Sequence, residues 1–261
     1  MHRVFVLFVA VAALTASACA PGTPRNPIFP AGVSPTPLQQ PPYVGLGKYE
    51  KLAEVTIKPT FGGLSYVNFI EVHQPPGLLP HADRAGFLYA YQGILSVGSR
   101  ERDTRQQIEQ GHAAWIDADT DHINGGIADQ VWYFITLRPI ADRKTPPPFA
   151  SMKVLFSSDD VAQLPMDKPL VHQLGYITMD AGGRTSSHSH GGLETFYVMK
   201  GTVELALNNG TRTNVAAGQG AVIMPGVVMQ LHVVGSEPVQ IVTYFVTPEG
   251  APWQNNLQTL P

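Results

Sequence analysis

Two histidines and a glutamate lie close together in the last third of the chain. His188 and His190 are two residues apart, and Glu194 follows four residues later. Alternate residues of a β-strand point to the same side, so the two imidazoles face one direction, and Glu194 joins them if the strand stays regular. Two imidazoles and a carboxylate with open coordination positions suit Mn, Fe(II), Ni or Zn. The spacing therefore predicts a divalent-metal site.

A plainer interpretation of the same histidines is a polar turn at a surface, residues 187–191. The nearby carboxylate and the glycines on both sides, Gly182 and Gly201, favour the metal site instead. The sequence contains no Gly-x-Ser-x-Gly nucleophile motif and no phosphate-binding glycine loop. Metal chemistry is therefore the one catalytic mechanism for which the sequence offers residues.

The segments that must hold these residues have the pattern of short β-strands. Residues 194–207 are rich in β-branched and aromatic side chains, and the Asn-Asn-Gly of residues 208–210 suits a hairpin turn. The 25 glycines, the 23 prolines and a charged fraction of only 14% also favour strands and turns over helices. We therefore predict an all-β fold, built as a closed barrel or a double-sheet jelly roll.

The sequence also repeats itself. A shift of 108 residues places Tyr89 on Tyr197, and near the ends of the two copies residues 133–136 match residues 244–247. Each copy has about 90 residues, which is the size of a domain and not of a solenoid repeat. The predicted divisions are an N-terminal barrel at 49–140, a connector at 141–160 and a C-terminal barrel at 161–261.

The spacing of the two histidines and the glutamate between Gly182 and Gly201 resembles the first sequence motif of the cupin family. Together with the repeat, this resemblance implies two tandem cupin barrels, each a small double-stranded jelly roll. It also implies a metal inside the second barrel, held by His188, His190 and Glu194. The chain is thus identified as a two-domain cupin, or bicupin.

Residues 218–230 resemble the second sequence motif of the cupin family. In the family this motif adds a further histidine, five residues after its proline. Counted from Pro225, that position is Gln230, while His232 lies two residues further along the same strand face and is the alternative fourth ligand. The sequence departs from the family at Gly226, which follows Pro225 directly where the family pattern leaves one residue between.

The first copy retains only part of this ligand set. His81 and Asp83 stand in the place of the histidine pair, and His122 in the place of the second-motif histidine. Asp117 replaces the proline, and no acidic residue matches Glu194. We therefore expect a degenerate first site, filled by side chains, with weak metal binding by the three remaining residues as the alternative.

The N-terminus predicts export. Residues 4–14 are apolar, too few to span a bilayer but suited to a signal peptide, and Ala-Ser-Ala precedes Cys19, the one cysteine of the chain. This pattern resembles a bacterial lipobox, although Ala16 stands where that motif usually has Leu, and it implies lipidation of Cys19. The expected segments are a signal peptide at 1–19 and a Pro-rich linker at 20–48. The expected location is the periplasm or cell envelope as a lipoprotein, with a secreted soluble protein as the alternative.

Composition narrows the partners. The formal net charge is −3 and no cluster of Lys and Arg stands out, so nucleic acid is not an expected partner. We expect a small-molecule substrate or ligand and one divalent metal ion, Mn or Fe(II) before Zn or Ni. Membrane contact is expected only through the lipid anchor, and the sequence leaves a homo-oligomer open.

The expected function is that of a small-molecule metalloenzyme. The two-barrel architecture resembles quercetinase-like dioxygenases and, in ligand types, (S)-ureidoglycine aminohydrolase. The latter family has two His, one Glu and one Gln in its second barrel, but it places the Glu ahead of the histidines. The alternative is a non-catalytic, envelope-tethered cupin that binds a small ligand or a metal.

Overall fold

A computed structural model of the chain describes residues 28–29, 47–76, 82–99, 104–117, 120–123, 128–144, 152–162 and 164–257. Regular structure in these ranges is almost entirely β, with a single 3-10 helix at Ile140–Lys144. The strands of the N-terminal half are β1 Ile28–Phe29, β2 Lys48–Ile57, β3 Ser65–Gln74, β4 Ala82–Asp83, β5 Gly86–Gln92, β6 Leu95–Ser99, β7 Thr104–Ile108, β8 Ala113–Ile116, β9 Thr120–Ile123, β10 Gln130–Pro139 and β11 Met152–Ser157. The strands of the C-terminal half are β12 Leu170–Met179, β13 Ser187–Ser189, β14 Leu193–Lys200, β15 Thr202–Leu207, β16 Arg212–Ala216, β17 Gly220–Ile223, β18 Met229–Val233, β19 Val239–Pro248 and β20 Asn255–Leu257.

The two halves share one topology. In the N-terminal half one sheet contains β3-β10-β5-β8 and the facing sheet β4-β9-β6-β7. The C-terminal half repeats this with β12-β19-β14-β17 and β13-β18-β15-β16. Strands related by the sequence repeat therefore occupy matching places, which confirms the prediction of two tandem all-β barrels.

The two barrels exchange their edge strands. Strand β2 comes before the N-terminal barrel in the chain but pairs along its length with β12 of the C-terminal barrel. Strand β11 lies in the segment predicted as a connector, yet it pairs with β3 of the N-terminal barrel. The predicted boundaries at residues 49 and 141–160 therefore need correction, because each barrel is completed by a segment assigned elsewhere.

Side-chain alternation along the central strands builds two apolar layers. On β10, Ile135 belongs to the layer between the barrels, where Phe69 and Phe87 also pack. Its neighbours Trp132 and Phe134 face the interior of the N-terminal barrel. Since both faces of β10 are covered, its long hydrophobic run is explained by burial on two sides.

Most of the N-terminal predictions fall outside the described residues. The signal peptide, Cys19 and nearly all of the linker belong to this group. Of the linker, the structure describes the backbone of Ile28–Phe29, paired in parallel with Val222 and Ile223, and residues 47–48 at the start of β2. Among the described residues, no helix is both long and apolar enough to cross a membrane.

Candidate metal centre

The three predicted ligands converge from two facing sheets. His188 lies on β13, His190 follows directly after it, and Glu194 lies at the start of β14 in the other sheet. One ligand atom from each residue lies within 4.8 Å of the others, and all three side chains are buried. The sequence interpretation brought the right residues together, but through a different backbone path.

That path is a tight turn and not a continuous strand. Between His190 and Glu194 the chain passes through Gly191 and Gly192. The backbone N–H of Gly191 donates to the carbonyl of Pro252 at 3.0 Å. A Cβ at Gly192 would lie 2.3 Å from the carbonyl oxygen of Val246, so only glycine allows this approach. The two glycines therefore let the chain cross from one sheet to the other with all three ligands pointing inward.

Both imidazoles are held through Nδ1. Nδ1 of His188 lies 2.7 Å from the carbonyl oxygen of Ser186, and Nδ1 of His190 lies 2.5 Å from that of Trp253. A carbonyl can only accept, so both Nδ1 atoms carry the proton and donate it. Each Nε2 is thereby left with its lone pair, which is the arrangement seen when histidine ligates a metal.

One oxygen of the Glu194 carboxylate accepts a hydrogen bond, and the other does not. Thr243 donates a hydrogen bond to Oε1 of Glu194 at 2.8 Å. Oε2 lies 3.2 Å from Nε2 of His190, within ion-pair distance, but neither atom forms a hydrogen bond of acceptable geometry. Buried polar atoms are normally paired, and a cation between them would satisfy both. The donor set therefore fits a divalent metal.

The electrostatics of the cluster point the same way. Burial lowers the pKa of His188. Burial alone would lower the pKa of His190 and raise that of Glu194, but their mutual attraction outweighs it. The pKa of His190 is therefore raised and the pKa of Glu194 is lowered. The buried carboxylate thus stays charged and needs a positive partner, either a protonated His190 or a cation that takes the place of that proton on Nε2.

The predicted fourth ligands do not reach this cluster. Gln230 donates from Nε2 to the carbonyl of Thr185 at 2.8 Å, and His232 is exposed. The cavity at the site is lined instead by their strand neighbours, Met229 and Leu231. Alternation along β18 therefore turns Gln230 and His232 away from the ligands, and the prediction of either as a ligand is corrected.

Met229 occupies the position opposite His188. The two residues are paired across β13 and β18. The register follows from the turn before β18, where Gly226 has a positive φ of 76°. Counting the family spacing from this glycine, and not from Pro225, would have pointed to Met229.

The cavity above the triad has a volume of about 160 Å³. Tyr49 comes from the exchanged strand β2, and Trp253 comes from the C-terminal segment. Neither was predicted at the site, because nothing in the local sequence links either residue to the histidines. The lining consists of Gly47, Tyr49, Ile177, Thr185, Ser186, His188, His190, Glu194, Met229, Leu231, Phe245, Trp253 and Gln254.

The first barrel offers no comparable cluster in its described part. His81 lies outside the described residues, and only the backbones of Asp83 and His122 are described, on β4 and β9. His122 pairs with Val97, as Leu231 pairs with Leu205 in the other barrel. By strand pairing His122 is therefore the counterpart of Leu231, so its predicted place at the fourth-ligand position is corrected.

Comparison with known proteins finds one matching domain family and several solved structures of similar fold. Residues 175–245, which contain the whole triad, match the cupin domain family. The fold is similar to the oxalate decarboxylase of Lactobacillus farciminis in complex with formate, with a TM-score of 0.53, 12% identity, and 74% of this chain and 79% of that chain covered. It is also similar to the vicilin of Solanum melongena, with a TM-score of 0.51, 10% identity and coverage of 72% and 77%.

A deletion mutant of the Bacillus subtilis oxalate decarboxylase is similar with a TM-score of 0.50, 14% identity, and 85% of this chain and 77% of that chain covered. No curated protein sequence matches the chain. The match identifies a cupin domain within the C-terminal barrel, and the two repeated barrels share the fold of these solved structures. At these identities the structural likeness establishes the fold and not an activity.

Proposed function

We propose that the C-terminal barrel binds one divalent metal through His188, His190 and Glu194 and acts on a small molecule as a metalloenzyme. The observation that carries the proposal is the open pair of buried atoms, Nε2 of His190 and Oε2 of Glu194, which face each other without a hydrogen bond. Both histidines also present Nε2 because their Nδ1 atoms are tied to carbonyls. Such a set supports metal binding more strongly than a role in packing.

Two nitrogens and one carboxylate oxygen favour Mn or Fe(II), with Zn or Ni as alternatives. Met229 faces His188 where the family places a further histidine, so the protein supplies three strong ligands and leaves positions open. When bound, the metal would supply Lewis-acid polarisation of a substrate oxygen or one-electron chemistry with O2. Thr243 and the Trp253 carbonyl would keep Glu194 and His190 oriented throughout.

Oxidative chemistry is favoured over an aminohydrolase-like reaction. Apart from the three ligands, Tyr49 is the one titratable residue among the described residues that line the cavity. Burial raises the pKa of Tyr49 to about 12, and its hydroxyl is hydrogen-bonded to Gln173. Release of an amine needs a group that gives and takes protons near neutral pH, which Tyr49 is not. A dioxygenase-like reaction takes its oxidant from O2 and releases no amine, so it does not need a group that protonates a leaving amine.

The same observation keeps a second candidate in view, a non-catalytic cupin that captures a small ligand or the metal itself. A cavity without a general base serves binding equally well. Oxygen uptake with catechols and with flavonols, and ammonia release from ureidoglycine, distinguish these candidates on the metal-loaded protein. Activity in neither assay, together with tight metal binding, would favour the capture role.

Metal content tests the site directly. We expect near-stoichiometric divalent metal in the wild type, and background levels in His188→Ala and Glu194→Gln. His232→Ala is the matched control, because His232 is exposed on the opposite face of β18 and its loss should change nothing. Equal metal content in the wild type and the two ligand variants would refute the proposal.

We further propose that the protein is exported and anchored through Cys19. The apolar segment before it and the small residues at 16–18 support this. Cys19→Ser should move the protein from the membrane fraction to the soluble one. Unchanged membrane association would refute lipidation, whereas a soluble wild type would support secretion without an anchor.

A further inference from the structure

The cavity over the triad is about the size of one aromatic ring. Its volume is about 160 Å³, and an apolar cavity of about 150 Å³ is known to hold benzene. His188, His190 and Glu194 lie at its buried end, whereas Tyr49, Ser186 and Gln254 are partly exposed at its mouth. A ligand therefore enters past the partly exposed residues and meets the triad at the far end.

One side of the cavity is an aromatic wall of three rings, Tyr49, Phe245 and Trp253. The ring centroids of Tyr49 and Trp253 are 5.1 Å apart, and those of Phe245 and Trp253 are 5.5 Å apart at 69°. Ile177 lies beside Tyr49 in the same sheet, and Met229 and Leu231 line the cavity from the other sheet. Aromatic rings pack well against such edge-to-face clusters, so a flat apolar ring is favoured there.

Charge limits the ligand further. In the part of the chain that the structure describes, no Lys or Arg lines the cavity, and Glu194 is the one carboxylate in the lining. A divalent cation beside one carboxylate leaves a single positive charge. A ligand that carries two negative charges would therefore bury one of them without a partner, which is costly. A ligand with one anionic oxygen, or with a neutral hydroxyl, is compatible with this single positive charge.

Resting on the proposed metal site, we propose that this cavity binds a single-ring phenol or catechol. Its oxygen points to the triad, and its ring lies between the aromatic wall and Met229. A dicarboxylate lacks the apolar surface that this wall would cover and carries one charge too many. A two-ring compound would leave its second ring outside the mouth of the cavity, where it gains no contact with the wall.

The first experiment is calorimetric titration of the full-length, metal-loaded protein with catechol, oxalate and 2,3-dihydroxynaphthalene, after the metal content of each sample is measured. We expect catechol to bind roughly tenfold or more tightly than either other compound. Oxalate binding as tightly as catechol would overturn the proposed ligand class while leaving the metal site intact. A wild type without metal would overturn both proposals.

The second experiment removes part of the wall. Tyr49→Ala should weaken catechol binding several-fold and improve binding of the two-ring compound, because it enlarges the cavity at its mouth. Tyr91→Ala is the matched control, since Tyr91 is an exposed tyrosine outside the cavity and should leave all three affinities unchanged. If both variants behave alike, or if Tyr49→Ala keeps wild-type affinities, the ring does not lie against the wall. The ligand series on the wild type remains decisive should Tyr49→Ala fold poorly.

Discussion

The two barrels have the same strand order, but the side chains that fill their interiors differ in kind. Tyr89 pairs with Tyr133 in the first barrel, and its repeat partner Tyr197 pairs with Val242 in the second. The repeat offset on the last strand is therefore 109 residues and not the 111 that matching of residues 133–136 with 244–247 implied. With this register, Glu194 corresponds to Gly86 and Thr243 corresponds to Phe134.

This correspondence explains why the described part of the first barrel holds no counterpart of Glu194. In the second barrel Thr243 donates to the Glu194 carboxylate at 2.8 Å. In the first, a Cβ on Gly86 would lie 2.7 Å from the ring of Phe134. An aromatic ring thus takes the space of a carboxylate and its hydroxyl partner. The shared topology is retained by packing, whereas the site depends on a few positions.

The largest expected effect comes from giving the second barrel the residues of the first. The double variant Glu194→Gly/Thr243→Phe should lose metal binding entirely, because it removes one ligand and fills its place. It should stay folded, since replacing buried charge by an apolar side chain is often neutral or stabilising. Metal analysis and thermal unfolding check both points.

The matched control is Thr195→Val. Oγ1 of Thr195 is buried without a hydrogen-bond partner, so valine should fit and metal content should not change. Metal retained in the double variant would show that the triad is not the binding site.

A second effect concerns His172, between the barrels, where its ring packs against Trp115 and Tyr244. Burial lowers the pKa of His172 from 6.5 to about 4. The unfolded chain therefore takes up a proton near pH 6.5, but the folded protein does not until near pH 4. Stability from this residue is present above pH 6.5 and is lost as the pH falls to 4, by about 3 kcal/mol.

Urea unfolding of the wild type and His172→Phe at several pH values measures this contribution. The wild type should lose more stability than the variant between pH 6.5 and 4. Parallel curves for the two proteins would show that His172 titrates normally in the folded state.

A third effect tests the filled interior of the first barrel. Gly86→Ala should destabilise the protein by about 2 kcal/mol, because its Cβ meets both the Phe134 ring and the carbonyl oxygen of Ile135 at 2.7 Å. Gly62→Ala is the control, since a Cβ there meets nothing within 4 Å. Denaturant midpoints measure both, and an unaffected Gly86→Ala would mean that this interior is loosely packed.

The smallest expected effect tests which residue of β18 occupies the fourth-ligand position. Met229→His should tighten metal binding by roughly tenfold, because it adds an imidazole opposite His188. Gln230→His should leave the affinity unchanged, because its side chain points away from the cavity. Competition with a chelator compares the two variants. The reverse order of affinities would show that the register assigned to β18 is incorrect.

Much of this protein could be predicted from the sequence because the signals are local. The strands follow from β-branched residues and turn glycines, the tandem barrels from the repeat, and the triad from the spacing of His188, His190 and Glu194. Side-chain alternation and turn formation depend on a few consecutive residues, so they can be predicted from a short stretch of sequence. The cupin resemblance rests on the same short segments.

Only the tertiary structure decided which distant residues complete the site. The edge-strand exchange brings Tyr49 from β2 to β12, and the C-terminal segment brings the Trp253 carbonyl to His190. A one-residue difference in register placed Met229, and not Gln230, beside the triad. Such pairings join segments far apart in the chain, and a slip of one residue reverses the face of every side chain. Local sequence cannot specify them, because the whole barrel must pack before one register is favoured.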